Sequence, residues 1–166
     1  MKKILSLAVV MAMTTASIAI AAPSGTFRQA HELGFGDKSS LDPIAKGRVF
    51  QITEKIMNRL VRPGLDGKPT ADLATSWSAN ADATVWTMKL RSGVTFHDGS
   101  SFDAADVVYS LSRVLDPELG SPARSAVKMV KSVEAVDDLT VRITLDTPFA
   151  DMPLQLMDYR LRMLPE

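Results

Sequence analysis

The chain has no cysteine among its 166 residues and only two histidines, His31 and His97. The first absence rules out disulfides and thiolate chemistry, but not export, because an oxidising compartment permits disulfides without requiring them. With so few histidines as well, no zinc site of the usual ligand types can be assembled from adjacent spacing. Net charge is also missing: 19 Lys and Arg balance 19 Asp and Glu, so no basic field invites nucleic acid. There is no GxSxG elbow to support a Ser, His, Asp hydrolase and no GxxxxGKS or GxxxxGKT loop to cradle a nucleotide. Beyond the first 21 residues, no apolar run reaches the roughly 20 residues that span a bilayer.

What is present starts with a leader. Met1-Lys2-Lys3 is a short positive region, and Ile4 to Ile20 is apolar apart from Ser6, Thr14, Thr15 and Ser17. Ala19-Ile20-Ala21 places small residues where a signal peptidase reads them, so cleavage after Ala21 is expected. The alternative is an uncleaved membrane anchor, but the small and hydroxylated residues near the end of the run suit a cleavage region better. Setting aside Lys2 and Lys3 leaves the mature chain slightly acidic, and its length suits one domain.

The most legible stretch runs from Val85 to Leu115. Trp86, Met88 and Leu90 alternate with Thr87 and Lys89, which predicts a strand over Val85 to Leu90 with one apolar face. Arg91-Ser92-Gly93 turns the chain, Val94 to Phe96 is a second short extended piece, and His97-Asp98-Gly99 is a tight turn. Asp103 is a good N-cap, and Asp106 suits the positive end of a helix. Val107, Val108, Leu111, Val114 and Leu115 then recur at helical spacing until Asp116-Pro117 stops them.

Upstream, Val49, Ile52, Ile56 and Leu60 predict a helix over Lys46 to Arg59, with Phe50 and Met57 on its core side. Arg62 to Pro69 reads as a surface connection, and Trp77 as a core residue. Thr26 to Leu33 is expected to be a strand. Downstream, Ala123 to Met129 and Pro148 to Met157 suggest short helices, and Val130 to Val136 with Thr140 to Leu145 an antiparallel pair. Tyr159 to Leu164 is expected to be the last strand, with Arg160 and Arg162 on one face.

The words LATSW, WTMKLRSGVTFHDG and FDAADVVYSLSRVLDP, with SLDP before them and SVEAVDDLTVRITLDTPF after, resemble the extracytoplasmic solute-binding proteins of ABC importers. The likeness is to family 5, the oligopeptide, dipeptide and nickel-binding group. It implies an α/β (α+β, mixed-sheet) fold that is the N-terminal part of a two-lobed periplasmic-binding-protein architecture, mainly the small subdomain of lobe one. On that reading residues 1–21 are the signal peptide and 22–45 the first strand and loop of lobe one. Residues 46–157 are the lobe-one subdomain, and 158–166 a truncated strand returning to lobe one. Such proteins are several times longer, so the chain is expected to be a fragment that binds solute weakly or not at all by itself.

The resemblance further implies a periplasmic monomer, not an enzyme and without cofactor or metal. It would capture a peptide, or alternatively a nickel chelate, opine or sugar, for a membrane permease. It makes His31, Glu32, Leu33 and Gly34 cleft residues, against the alternative of a solvated strand end. It also places Arg160 and Arg162 near the ligand, Arg162 better than Arg160. A guanidinium there would pair bidentately with a substrate carboxylate; the plain alternative is an edge strand guarded by charge. Asp42 is expected to order its loop and not to touch ligand. A stand-alone secreted interaction module is the second functional reading.

Overall fold

In a computed structural model of the chain, the residues described are 26, 41–43 and 50–166. The chain divides into two units, Met1–Glu32 and Leu33–Glu166, and all that follows concerns the second. The strand expected over Thr26 to Leu33, and with it His31, Glu32, Leu33 and Gly34, lies outside the described residues, as do the leader and the first turn of the helix expected from Lys46.

Four helices and six strands follow one another: α1 (Phe50–Ile56), β1 (Val61–Pro63), β2 (Pro69–Ala71), β3 (Ala74–Ala79), β4 (Val85–Leu90), α2 (Ala104–Leu115), α3 (Arg124–Val127), β5 (Val130–Asp137), β6 (Thr140–Leu145) and α4 (Met152–Gln155). β1 and β2 form a small antiparallel ribbon, and the other strands form a sheet in the order β3-β4-β6-β5. Every pairing among these strands is antiparallel, so the arrangement is α+β in character.

The core follows from the period-two pattern. Trp86 stands opposite Ile143, and Met88 opposite Val141, across β4 and β6. All four are buried, together with Leu90 and Leu145, and this apolar face meets Val107, Leu111 and Val114 of α2. The intervening positions, such as Lys89 and Arg142, face solvent. Cross-strand apolar pairs of this kind are the unit that stabilises a sheet.

α2 begins with a reciprocal cap. Asp103 Oδ1 accepts from the Ala105 amide at 2.7 Å, and Asp106 Oδ2 accepts from the Asp103 amide at 2.8 Å. Asp106 therefore does more than complement the helix dipole: it satisfies one of the amides that a helix start leaves over. Gly93 and Gly99 both take positive φ, +70° and +90°, in the two turns that separate β4 from this cap.

Several expectations are corrected. Tyr159 to Leu164 is not a strand: the Leu161 amide donates to Asp158 C=O and the Arg162 amide to Arg160 C=O, each at 3.0 Å. These turn bonds replace a ladder, and Leu161, Arg162 and Met163 are all buried, so apolar alternation there is not a two-faced pattern. Arg160 and Arg162 consequently share no strand face. The helix from Lys46 ends at Ile56 and not at Arg59. The connection from Arg62 to Pro69 is the tip of the β1–β2 ribbon, with a Gly67 amide to Gly64 C=O bond of 3.0 Å. Val94 to Phe96 contributes only a single bridge, Thr95 to Ser101. Trp77 is half-buried on the edge strand β3, packed against the core's margin and not inside it.

Candidate functional site

Residues 57–60, leaving α1, lie beside the irregular segment 161–166. The Met163 amide donates to Asn58 C=O at 3.1 Å. The Leu164 amide donates to Ser110 Oγ at 2.9 Å and the Glu166 amide to Asp106 Oδ1 at 3.0 Å. These bonds fasten the segment to α2 without a strand partner. They leave cavities on either side of residues 57–58.

One cavity, of about 260 Å³, is apolar. Ile56, Leu73, Phe96, Phe102 and Met163 line it, with His97 at its edge. His97 Nε2–H donates to Ile56 C=O at 2.8 Å, so this histidine ties the turn after β4 to the end of α1.

The other cavity, of about 400 Å³, is polar and lined by Arg59, Arg62, Arg162, Glu54, Asp72 and Asn58, among others. Arg162 is only 4% exposed and Arg59 only 6%. Arg162 donates from Nε to Tyr159 C=O and from Nη1 to Met57 C=O, both at 2.8 Å. Arg59 donates from Nη1 to Met157 C=O, and its Nη2 lies 3.8 Å from Glu54 Oε1. Two donors remain: Arg59 Nε and Arg162 Nη2 are buried and have no hydrogen-bond partner. Burial, followed by the positive charge of Arg59, pulls the Arg162 guanidinium down to about 10; it stays protonated at neutral pH.

Arg160 behaves differently. Its Nε and Nη2 donate to the two oxygens of Asp158 at 2.8 and 2.5 Å, and its Nη1 to Pro122 C=O at 2.7 Å. All three nitrogens are engaged. Burial alone would raise the Asp158 carboxyl, but the hydrogen bonds from Arg160 outweigh it and hold the group below the usual carboxylate range. Asp42, as expected, orders its loop: Arg113 Nη2 reaches Asp42 Oδ2 at 2.6 Å.

Sequence pattern alone does not reach Arg59. The signal that points to it is a lone charge inside an apolar run, between Ile56 or Met57 and Leu60-Val61; the run reads as the end of a helix, where a basic residue is unremarkable. Asp72 is likewise unmarked by pattern. Its Oδ2 accepts from the Arg59 amide at 3.1 Å and its Oδ1 from Asn58 Nδ2 at 2.8 Å, fixing the chain where it leaves α1.

Comparison with known proteins gives three kinds of likeness. The sequence model of the bacterial extracellular solute-binding proteins, family 5 middle region, matches residues 68–165. The glutathione-binding protein GsiB of Pectobacterium atrosepticum is 47% identical over 78 residues, 47% of this chain and 15% of GsiB. The periplasmic oligopeptide-binding protein OppA of Escherichia coli is 28% identical over 172 aligned residues, covering 89% of this chain and 32% of OppA. Among solved structures, the binding protein AgaA from A. tumefaciens R10, in complex with agropinic acid, superposes with a TM-score of 0.70 at 35% identity. That match covers 78% of this chain and 27% of AgaA. The chain thus spans less than a third of each of these relatives.

Proposed function

The chain belongs to the family 5 bacterial extracellular solute-binding proteins, and from that premise we propose that it serves capture and not catalysis. It supplies part of lobe one of a periplasmic protein that encloses a small solute and delivers it to an ABC permease. The observation that carries this reading is the family match over residues 68–165, which takes in β2 to the segment beyond α4. Residues 1–21 are the secretion signal, 22–45 the start of lobe one, 46–157 its subdomain, and 158–166 the segment that returns to the cleft.

The solute class is a peptide or a peptide-like acid. GsiB and OppA are named for glutathione and oligopeptides, and AgaA was solved with agropinic acid; a nickel chelate, opine or sugar are the other classes in view. Among the residues that the sequence points to, Arg162 is the ligand contact best supported, since it lines the polar cavity with a donor to spare. Arg160 is spent on Asp158 and Pro122, and is better read as a brace for the turn. His31, Glu32, Leu33 and Gly34 stand as proposed cleft residues. A hinged clamp of this kind works by closing two bodies around the solute, and the closed form is what the permease recognises.

Deleting the gene in its host and following uptake of labelled tripeptides, glutathione and opines tests the proposal. Loss of uptake of one of these, restored by the intact gene, is the expected result. Unchanged uptake of all of them contradicts it.

A further inference from the structure

The polar cavity holds an imbalance that its own residues do not resolve. Three guanidiniums, those of Arg59, Arg62 and Arg162, face two carboxylates, Glu54 and Asp72, which leaves a positive charge over. Both oxygens of Asp72 are already accepting, from Asn58 and from the Arg59 amide. Asp158 is taken by Arg160. Among the described residues, no carboxylate is placed to accept from Arg59 Nε or Arg162 Nη2, and both atoms are buried. A buried donor left unmade costs about 1–3 kcal/mol, more when the group is charged, so two of them in one cavity ask for an acceptor.

A water molecule occupies about 30 Å³ of liquid, whereas the cavity measures about 400 Å³. The space accommodates a group of several atoms, and the surplus charge decides its sign. Two guanidiniums are suited to oxyanions, because their planar N–H groups meet paired oxygens in charge-assisted bonds.

We infer that Arg59 and Arg162 together form a seat for an oxyanion, a carboxylate or phosphate carried by the captured solute, with Arg59 as a binding residue in its own right. The inference rests on the capture reading above and narrows it to acidic solutes. Arg59 Nε and Arg162 Nη2 donate to the anion while the remaining nitrogens stay on Met157, Tyr159 and Met57 C=O. The backbone therefore holds both side chains before the solute arrives, which reduces the ordering cost of binding. Neutralising the pair also relieves the repulsion that depresses Arg162.

The test titrates the full, nitrogen-labelled chain with succinate, with acetate and with inorganic phosphate, each against sodium chloride at equal ionic strength. The readouts are the arginine Nε–H resonances and the thermal midpoint. The expected result is a saturable shift of the Arg59 Nε–H resonance and a rise in midpoint with a carboxylate or with phosphate, beyond chloride. The effective anion identifies the group. Arg59→Gln removes the effect, and Arg59→Lys, which keeps the charge but loses the fork, weakens the anion by roughly tenfold or more. The resonance shift is read on the unsubstituted chain, so a variant that fails to fold leaves the test standing. The inference is overturned if no oxyanion exceeds chloride, or if the effect persists unchanged in Arg59→Gln. Either result leaves solute uptake to be judged on its own, since a neutral solute would still be captured.

Discussion

Arg160 and Arg162, two positions apart, have opposite fates. The first is neutralised by Asp158 and braces a turn; the second is buried with a donor unspent. Their spacing is visible in the sequence and suggests a shared face, since alternate residues of an extended chain point the same way. What is not visible is the turn at Asp158 to Leu161, because a polar residue followed by alternating apolar ones reads the same in a strand and in a packed irregular segment. The Asp158 ion pair has a pH signature. Its folded-state pKa is depressed, so its contribution to stability is present above the ordinary carboxylate value of about 4 and is lost as pH falls through the lower folded value. Urea denaturation between neutral and acid pH should show stability declining at the acid end, and Asp158→Asn should flatten the part of that decline that this group supplies. An unchanged acid limb in the variant would mean that the pair contributes nothing.

At the scale of elements, the stretch from β4 to α2 is the most readable, and the structure reproduces its strand, its turns, its cap and its stop. Each of these has a local cause: a period-two face, glycines where φ is positive, an aspartate before a helical stripe, and a proline after it. Elements whose cause is not local are missed or misplaced by pattern. β3 is Ala74–Ala79, mostly small and polar, and it is a strand because β4 offers it a partner; nothing in its own pattern requires one. The β1–β2 ribbon is hidden by the glycine and proline density that makes its turn. For the readable part the expected energetics are definite. Asp103→Ala removes an acceptor from the start of α2 and should cost about 1 kcal/mol, measured as a shift in the urea midpoint with an unchanged slope. No loss would mean that Asp106 and solvent suffice to satisfy the helix start.

At the scale of the whole molecule, fold class and family are legible because the recurring words lie in the scaffold. β4, β6 and α2 build one apolar core, and Trp86, Met88, Val107, Leu111, Val141 and Ile143 all serve it. The candidate site is legible only in part. Arg162 is reached through resemblance, while Arg59 and the cavity they share depend on the packing of residues 57–60 against 161–166, which no local pattern announces. The solute that a family member selects is set by all the residues that close on it, and this chain spans less than a third of GsiB, of OppA and of AgaA. The central claim is therefore one of capture, tested most directly by isothermal titration of the product of the complete reading frame that contains this chain. The titrants are tripeptides, glutathione and agropinic acid. The account predicts saturable binding of one solute per chain, with the solute recovered unchanged. Absence of binding to all of them, or conversion of the solute into product, would contradict it.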